Sequence, residues 1–329
     1  MNYNKKVIKE GITFHKIDTK KFKTNLFSIF LTTPLSRDTV TKNALISAIL
    51  RMGTNNLQAQ DLISKELENM YGASFDCGVE KNGESHVLKF YIESINDEFL
   101  PEQFDLAKKS LKLLVDIVFN PLVEGNGFKN EYVESEKNTL RRIIEGKIDN
   151  KARYAFDRCI EEMYKSKPYG LYKFGYIEDL DGITSQDLYN YYKELISNCK
   201  IDIFASGFNM DNLNEDEILA DLKGRKTNYI PNKCMLIKEQ INEPKTITEK
   251  MDITQGKLMI GLDVLDVKDD EGFVASVYNT VLGGGANSKL FQNVREKAGL
   301  CYTARSSFIR QKKNIFIRCN FANCCIWCG

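Results

Sequence analysis

The chain has 329 residues, of which 43% are apolar and 28% charged, and this composition excludes an intrinsically disordered protein. Its 46 basic and 45 acidic side chains nearly cancel, which excludes the basic excess typical of nucleic-acid-binding proteins. No apolar run approaches the roughly 18 residues of a membrane span, and the first residues do not read as a secretion signal. We therefore expect a cytoplasmic protein with enough sequence for two domains.

The first half of the sequence alternates between strand-like and helix-like patterns. In chain order it is predicted to contain strands at 6–16 and 22–34, helices at 41–52 and 58–70, a hairpin at 73–93, helices at 104–119, 130–165 and 183–196, and a strand at 201–206. The helix that begins near Thr41 carries apolar residues at helical spacing and is ended by Gly53. The pair Asn82-Gly83 is a strong turn signal for the hairpin. We assign residues 1–222 to a first domain.

The second half begins after a segment without periodicity at 223–244, which we interpret as a linker. Residues 245–329 form the second predicted domain, with strands near 246–253 and 257–264, helices at 274–282 and 288–297 around a glycine turn, and a hairpin that begins at Gly299. The succession of apolar helix, glycine break, charged helix and hairpin repeats that of the first half. This order predicts a tandem duplication of one α/β unit.

Two segments carry a resemblance to a known family. The stretch VLGGGANSKLFQNVREKAGLCYTARSSF at 281–308 closely resembles a hallmark segment of the pitrilysin/insulinase family of zinc peptidases, which includes the mitochondrial processing peptidases. The stretch GYIEDLDGITSQDLYNYYKELI at 175–196 is also similar to a family segment. The resemblance spans about residues 1–318. It implies an α+β fold of tandem duplicated, metallohydrolase-like domains, each a mainly antiparallel sheet packed on helices, that face each other across a peptide-holding cavity.

The resemblance also locates where a catalytic metal would bind. Active members carry an H-x-x-E-H motif on the first apolar helix, in which two histidines bind zinc and the glutamate polarises water. Alignment by the following glycine places these three positions on Ala44, Ser47 and Ala48. The third ligand of the family, a glutamate, falls on Ile143 by its spacing from Glu136. None of the four positions can do the work of the family's residue.

Other metal donors are scarce in the sequence. Its two histidines, His15 and His86, lie on separate predicted strands, and each is interpreted as an ordinary strand residue, since tetrahedral zinc requires three or four converging donors. No phosphate loop or nucleophile motif offers a substitute. We therefore expect no metal, no cofactor and no catalysis.

Two residues of the segment at 281–308 match family residues that hold the substrate. Arg295 and Tyr302, seven positions apart, correspond to an arginine and a tyrosine that bind the peptide near the zinc in family members. Both can hydrogen-bond a peptide carbonyl without a metal. The alternative is that they only fix the helix to the strand that follows it.

Zinc-less members of the family commonly work beside an active paralogue. The resemblance therefore implies a noncatalytic subunit of a heterodimer, whose partners are a catalytic zinc-peptidase paralogue and a peptide segment. It is strongest to a degenerate bacterial member associated with 5-aminopentanol modification of elongation factor P. Two alternatives stay open: a stand-alone peptide-binding or chaperone-like protein, and a metallopeptidase with an atypical site.

The end of the sequence departs from the pattern. The duplication, with an offset of about 232, predicts a complete second domain that extends to roughly residue 454. The last residues, CNFANCCIWCG, contain four cysteines, of which Cys325 and Cys328 have C-x-x-C spacing. We expect a second domain that is truncated because the sequence leaves its frame near Cys319; the alternative is a metal-binding or redox tail.

Overall fold

The computed structural model describes residues 1–102, 104–220, 222, 243–264 and 271–321. Its contacts divide the chain into two compact units. The first unit comprises Met1–Glu145 with Leu171–Lys233, and the second comprises Gly146–Gly170 with Cys234–Gly329. Most of the predicted linker at 223–244 and the cysteine-rich end beyond residue 321 lie outside the described residues.

The first unit contains most of the secondary structure. Its strands are β1 (Asn2–Lys9), β2 (Ile12–Asp18), β3 (Thr24–Pro34), β4 (Ser74–Asn82), β5 (Ser85–Ile95), β6 (Val123–Glu124), β7 (Gly127–Phe128) and β8 (Lys200–Gly207). Its helices are α1 (Val40–Ile49), α2 (Gln60–Asn69), α3 (Leu106–Phe119), α4 (Asn130–Glu145), α6 (Ile177–Leu180), α7 (Ser185–Asn198) and α8 (Glu215–Ile218). The helix between α4 and α6, α5 (Lys151–Met163), belongs to the second unit. The strand predicted at 6–16 is two strands, because Gly11 adopts a φ of 77° and turns the chain between β1 and β2.

A six-stranded sheet organises this unit. The strand order is β1-β2-β8-β3-β5-β4, and every pairing is antiparallel except that of β2 with β8. Phe27, Ile29 and Phe90 of the central strands are fully buried, and α1 and α3 pack against the sheet. The predicted hairpin at 73–93 is confirmed, with Gly83 at a positive φ in its turn. The prediction of an α+β fold with mainly antiparallel sheets is confirmed at this level.

The second unit has its own small sheet. Its elements are α5 (Lys151–Met163), β9 (Lys257–Asp263), α9 (Gly272–Gly283), a π-helix (Phe291–Lys297), β10 (Cys301–Ile309) and β11 (Asn314–Phe321). The three strands are antiparallel in the order β10-β11-β9. The sequence predicted one helix over 130–165 within the first domain, whereas the structure ends α4 at Glu145 and packs α5 against β9.

Side-chain contacts explain why α5 belongs to the second unit. Ile160 and Tyr164 form a small core with Phe316, and the Tyr164 hydroxyl donates to Oδ1 of Asn314 at 2.6 Å. The strand predicted near 246–253 is absent from the described residues. Glu249 instead accepts a hydrogen bond from Nε of Arg158 on α5, at 2.7 Å.

Two further findings concern the environment of the protein. The described residues contain no helix with the length and apolar character that crossing a bilayer requires. The cysteines of the described part, Cys77, Cys159, Cys199, Cys301 and Cys319, form no disulfide with one another.

Candidate functional site

The degenerate metal motif lies on α1, which is a helix as predicted. Ala44 and Ser47 are buried there, and Ala48 is partly buried. The Ser47 hydroxyl, the one polar group among the three side chains, donates to the backbone carbonyl of Ala44 at 2.9 Å. Its proton therefore serves the helix, and the three positions offer no imidazole or carboxylate.

The fourth position of the motif lies on α4, which packs against α1. Ile143 is 42% exposed near the end of the helix and carries no donor atom. Glu136, seven residues earlier, lies on the buried face of α4 and is only 4% exposed. The carboxylate that this surface retains is therefore Glu136.

Glu136 faces a guanidinium. Nη2 of Arg51, just past the end of α1, lies 3.8 Å from Oε1 of Glu136, which is an ion-pair distance but too long for a hydrogen bond. Among the described residues, Oε2 of Glu136 and Nε of Arg51 are buried without a hydrogen-bond partner. Burial raises the pKa of the Glu136 carboxyl, and the charges of Arg51 and Arg142 oppose that rise.

A cysteine lies beside the same helix. Sγ of Cys77, on β4, donates to the Ser47 carbonyl at 3.1 Å. Burial raises the pKa of this thiol to about 11, and the charge of Arg51 lowers it in part. The group is therefore a neutral thiol at physiological pH, a poor nucleophile and a poor metal ligand.

These residues do not fit the zinc ion that the resemblance implies. Zinc requires three or four converging imidazole, thiolate or carboxylate ligands. Nowhere in the described part of the chain do three His, Cys, Asp or Glu side chains converge as such ligands would. The surface of α1 and α4, with the adjacent β4, instead presents methyl groups, an internally bonded hydroxyl, a neutral thiol and a buried glutamate that faces a partly exposed arginine.

A buried polar network adjoins the motif. Nδ2 of Asn43 donates to Nδ1 of His86 at 3.1 Å, and the Tyr191 hydroxyl donates to Oδ1 of Asn43 at 2.8 Å. Burial, together with the charges of Lys81 and Lys173, lowers the pKa of His86 to about 4. His86 is therefore neutral at pH 7, and its role is to hold α1 and α7 onto β5.

The two residues predicted to bind peptide lie in the second unit. The Arg295 guanidinium, in the π-helix, lies 4.4 Å from the centroid of the Phe291 ring, and its side chain is 40% exposed. Tyr302 is 60% exposed, and its hydroxyl has no hydrogen-bond partner among the described residues. The pairing register shifts between Cys301 and Thr303, which places Tyr302 in a β-bulge at the start of β10.

Sequence reasoning missed two members of this site. Arg51 lies seven residues after Ala44, in the 3₁₀ turn Leu50–Met52 that follows α1, so helical spacing along the sequence could have revealed it. No sequence pattern pointed to Cys77, because local sequence does not predict the tertiary contact that brings β4 beside α1. Glu136 served only to locate Ile143, although it is the one carboxylate of the motif surface that is buried.

The fold and this surface define a class of protein: a metallopeptidase-like α+β protein whose metal ligands have been replaced. Comparison with known proteins agrees with this class. The family model described as Peptidase M16 inactive domain matches residues 182–323. The "Probable inactive metalloprotease YmfF" of Bacillus subtilis (strain 168) is 38% identical over 299 residues, which are 90% of this chain and 70% of that protein.

Solved structures agree with the same fold. A conserved protein from Enterococcus faecalis V583 matches with a TM-score of 0.85 at 27% identity, over 98% of this chain and 76% of the other. A peptidase M16 inactive domain from Pseudomonas fluorescens matches with a TM-score of 0.72 at 21% identity, over 98% of this chain and 75% of the other, which shows the fold alone.

The chain belongs to the M16 peptidase family, the family of pitrilysin and insulinase that its sequence resembles. Within that family it is an inactive homologue of a zinc metallopeptidase, as predicted. The metallopeptidase alternative, with an atypical metal site, is therefore not retained.

Proposed function

We propose that the chain is the noncatalytic, peptide-holding subunit of a heterodimer with a zinc-containing M16 paralogue. The observation that carries the proposal is Tyr302, whose exposed phenol lies in a β-bulge of β10, the strand that contacts the π-helix bearing the partly exposed Arg295. Bulges redirect side chains at binding surfaces, and a phenol that only fixed the helix to the strand would be covered. Both groups can donate to peptide carbonyls.

The first unit supports the proposal that a second chain supplies the catalytic residues. Its motif surface has no ligand set for zinc, yet its fold is fully formed around a buried core. A protein that keeps the scaffold without the metal can still shape a cavity for a substrate that another subunit cleaves. A second candidate is the stand-alone peptide-binding or chaperone-like protein, which the same exposed Tyr302 supports.

Purification from the native cell distinguishes the two. For the heterodimer we expect a tagged chain to co-purify with a stoichiometric paralogue that contains zinc, measured by mass spectrometry and metal analysis. A lone monomer that binds a fluorescein-labelled casein peptide would support the stand-alone candidate. A lone monomer that binds no peptide would contradict both.

Substitution tests the role of Tyr302 directly. Tyr302→Phe removes one hydroxyl, so we expect weaker peptide binding with an unchanged melting temperature, since the side chain is 60% exposed. Tyr278, which is 58% exposed on α9, provides the matched control Tyr278→Phe. Equal affinities of the two variants would contradict the assignment.

The resemblance of the sequence to a degenerate bacterial member of the family leads us to associate the proposed heterodimer with 5-aminopentanol modification of elongation factor P. We also propose that the heterodimer is cytoplasmic. The test is the mass of elongation factor P isolated from cells with and without the gene. A modified mass that persists unchanged in its absence would remove this association and leave the heterodimer proposal untouched.

We also propose that the chain contains a tandem duplication, in which a strand–helix–hairpin segment of the first unit is repeated in the second. In the first unit α1 lies, in sequence, between β3 and the β4–β5 hairpin, and the strands pair in the order β3-β5-β4. In the second, α9 lies between β9 and the β10–β11 hairpin, and the strands pair in the order β9-β11-β10. This equivalence of order supports the proposal, and superposition of the two strand–helix–hairpin segments tests it.

A further inference from the structure

One face of the small sheet in the second unit carries a cluster of cations. Arg305 on β10 lies directly opposite Arg318 on β11, and the next row pairs Thr303 with Asn320 and Asn320 with Lys257. These side chains line a cavity of about 290 Å³. Residues of one sheet face lie side by side in this register, so the three cationic side chains converge on one space.

The described residues do not compensate the positive charges of this cavity. None of the residues that line it is an aspartate or a glutamate. Within the described part of the chain, Arg305 and Arg318 make no ion pair and no hydrogen bond, and Nζ of Lys257 donates to the neutral amide of Gln255 at 3.0 Å. Like charges directly opposite each other on a sheet are unfavourable.

The remaining lining suits an anionic ligand with a carbon skeleton. The Thr303 hydroxyl and the Asn320 amide can add hydrogen bonds to oxygen atoms. Ala152, in the first turn of α5, and Met259 form an apolar wall, and the amide groups of a helix's first turn add positive potential. The volume suits a small ligand or a short stretch of peptide.

We propose that this cavity binds a ligand with multiple oxyanion charges, held by the guanidinium groups of Arg305 and Arg318 and the ammonium of Lys257. Two guanidinium groups present paired N–H donors that match the oxygens of carboxylates and phosphates. The ligand relieves the Arg305–Arg318 repulsion on binding. The cavity shares no lining residue with the proposed peptide-binding pair Arg295 and Tyr302, so this proposal does not depend on peptide binding.

Carboxylate and phosphate ligands share this chemistry, and titration calorimetry of the full chain separates them. One arm uses pyrophosphate and the other uses acetyl-Glu-Ala-Glu-amide. We expect saturable binding of at least one probe with one site per chain, weakened by added salt because surface ion pairs are screened. The absence of heat and of any change in melting temperature with both probes would overturn the proposal.

Two variants and a matched control locate the site. Arg305→Gln and Arg318→Gln are each expected to weaken binding about tenfold or more, the loss of one charge-assisted contact. Arg310→Gln removes the same charge just beyond β10, outside the cavity, and is expected to leave the affinity unchanged. Equal weakening by all three variants would show general electrostatic attraction and overturn the site.

Thermal unfolding gives a second measurement. Without ligand, Arg305→Gln removes the repulsion with Arg318, so its melting temperature is expected to rise or stay unchanged, whereas the probe-induced increase shrinks. A probe-induced increase as large as that of the wild type would overturn the proposal.

Discussion

The guanidinium of Arg51 is the cation that faces the buried carboxylate of Glu136, at 3.8 Å, on the surface where active relatives would hold zinc. The two residues come from α4 and from the segment that follows α1, so the pair joins the elements that the metal would otherwise join. An internal charge therefore balances the one buried carboxylate of this surface, although no hydrogen bond completes the pair.

Arg51→Leu removes the cation that pairs with the buried carboxylate of Glu136 and leaves only the charge of Arg142 to oppose its burial. We expect the free energy of unfolding to fall by about 1–3 kcal/mol at pH 7, since the arginine is partly exposed and its charge is screened. Glu136→Gln in the same background is expected to restore most of the loss. Urea unfolding of the two single variants and the double variant measures the coupling; additive losses would contradict it.

The pH dependence of Arg51→Leu has a definite sign. Burial raises the pKa of Glu136, so its protonated form is favoured in the folded state and the penalty belongs to the ionised form. The deficit relative to the wild type is therefore expected to be largest above that raised pKa and to shrink as the pH falls below it. A deficit that is constant over this range would indicate lost packing instead.

His86 makes the fold sensitive to acid. Its pKa is lowered to about 4 by burial, against an ordinary value of 6.5, so its contribution to stability is complete above pH 6.5 and is lost as the pH falls toward 4. The shift corresponds to a loss of about 3 kcal/mol. Unfolding measured at several pH values should show this loss. His86→Asn, which keeps an acceptor for Asn43 and cannot titrate, should not show the same step.

Metal removal should leave the protein unchanged. Since Ala44, Ser47, Ala48 and Ile143 supply no ligands, we expect EDTA to leave the melting temperature unaltered. Differential scanning calorimetry before and after chelation checks this. A fall in the melting temperature of several degrees that zinc reverses, and that magnesium does not, would contradict the conclusion that the zinc site has been lost.

The glycine run of the family segment has a packing role at one position. A Cβ on Gly283, at the end of α9, would lie 2.3 Å from the Ser306 amide nitrogen on β10, whereas a Cβ on Gly285 would meet nothing within 4 Å. We expect Gly283→Ala to lower the free energy of unfolding by about 1–3 kcal/mol and Gly285→Ala to be nearly neutral. Equal stabilities of the two variants would refute this role.

The sequence predicted the elements whose signals are local. The helix after Thr41 and the hairpin at Asn82-Gly83 follow from periodicity and turn chemistry, and both are present. The helix at 288–297 was expected from the same periodicity, but helical spacing does not distinguish an α-helix from the π-helix that the structure contains.

Long-range contacts account for what the sequence did not predict. The local sequence at 146–163 does not predict that α5 packs on β9 of the second unit, because its core partner Phe316 is distant in the sequence. The same holds for the site: Arg51 and Glu136 meet only because α4 packs on α1, and their separation along the chain carries no pattern.

The placement of α5 gives the chain an interlaced connectivity. The chain passes from one compact unit to the other after residues 145, 170 and 233, so neither unit is a continuous stretch of sequence. Cleavage after residue 233 would leave α5 on one fragment and its partner β9 on the other. The two fragments of a nicked molecule should therefore remain associated, because the second unit is divided between them and neither fragment can form it alone.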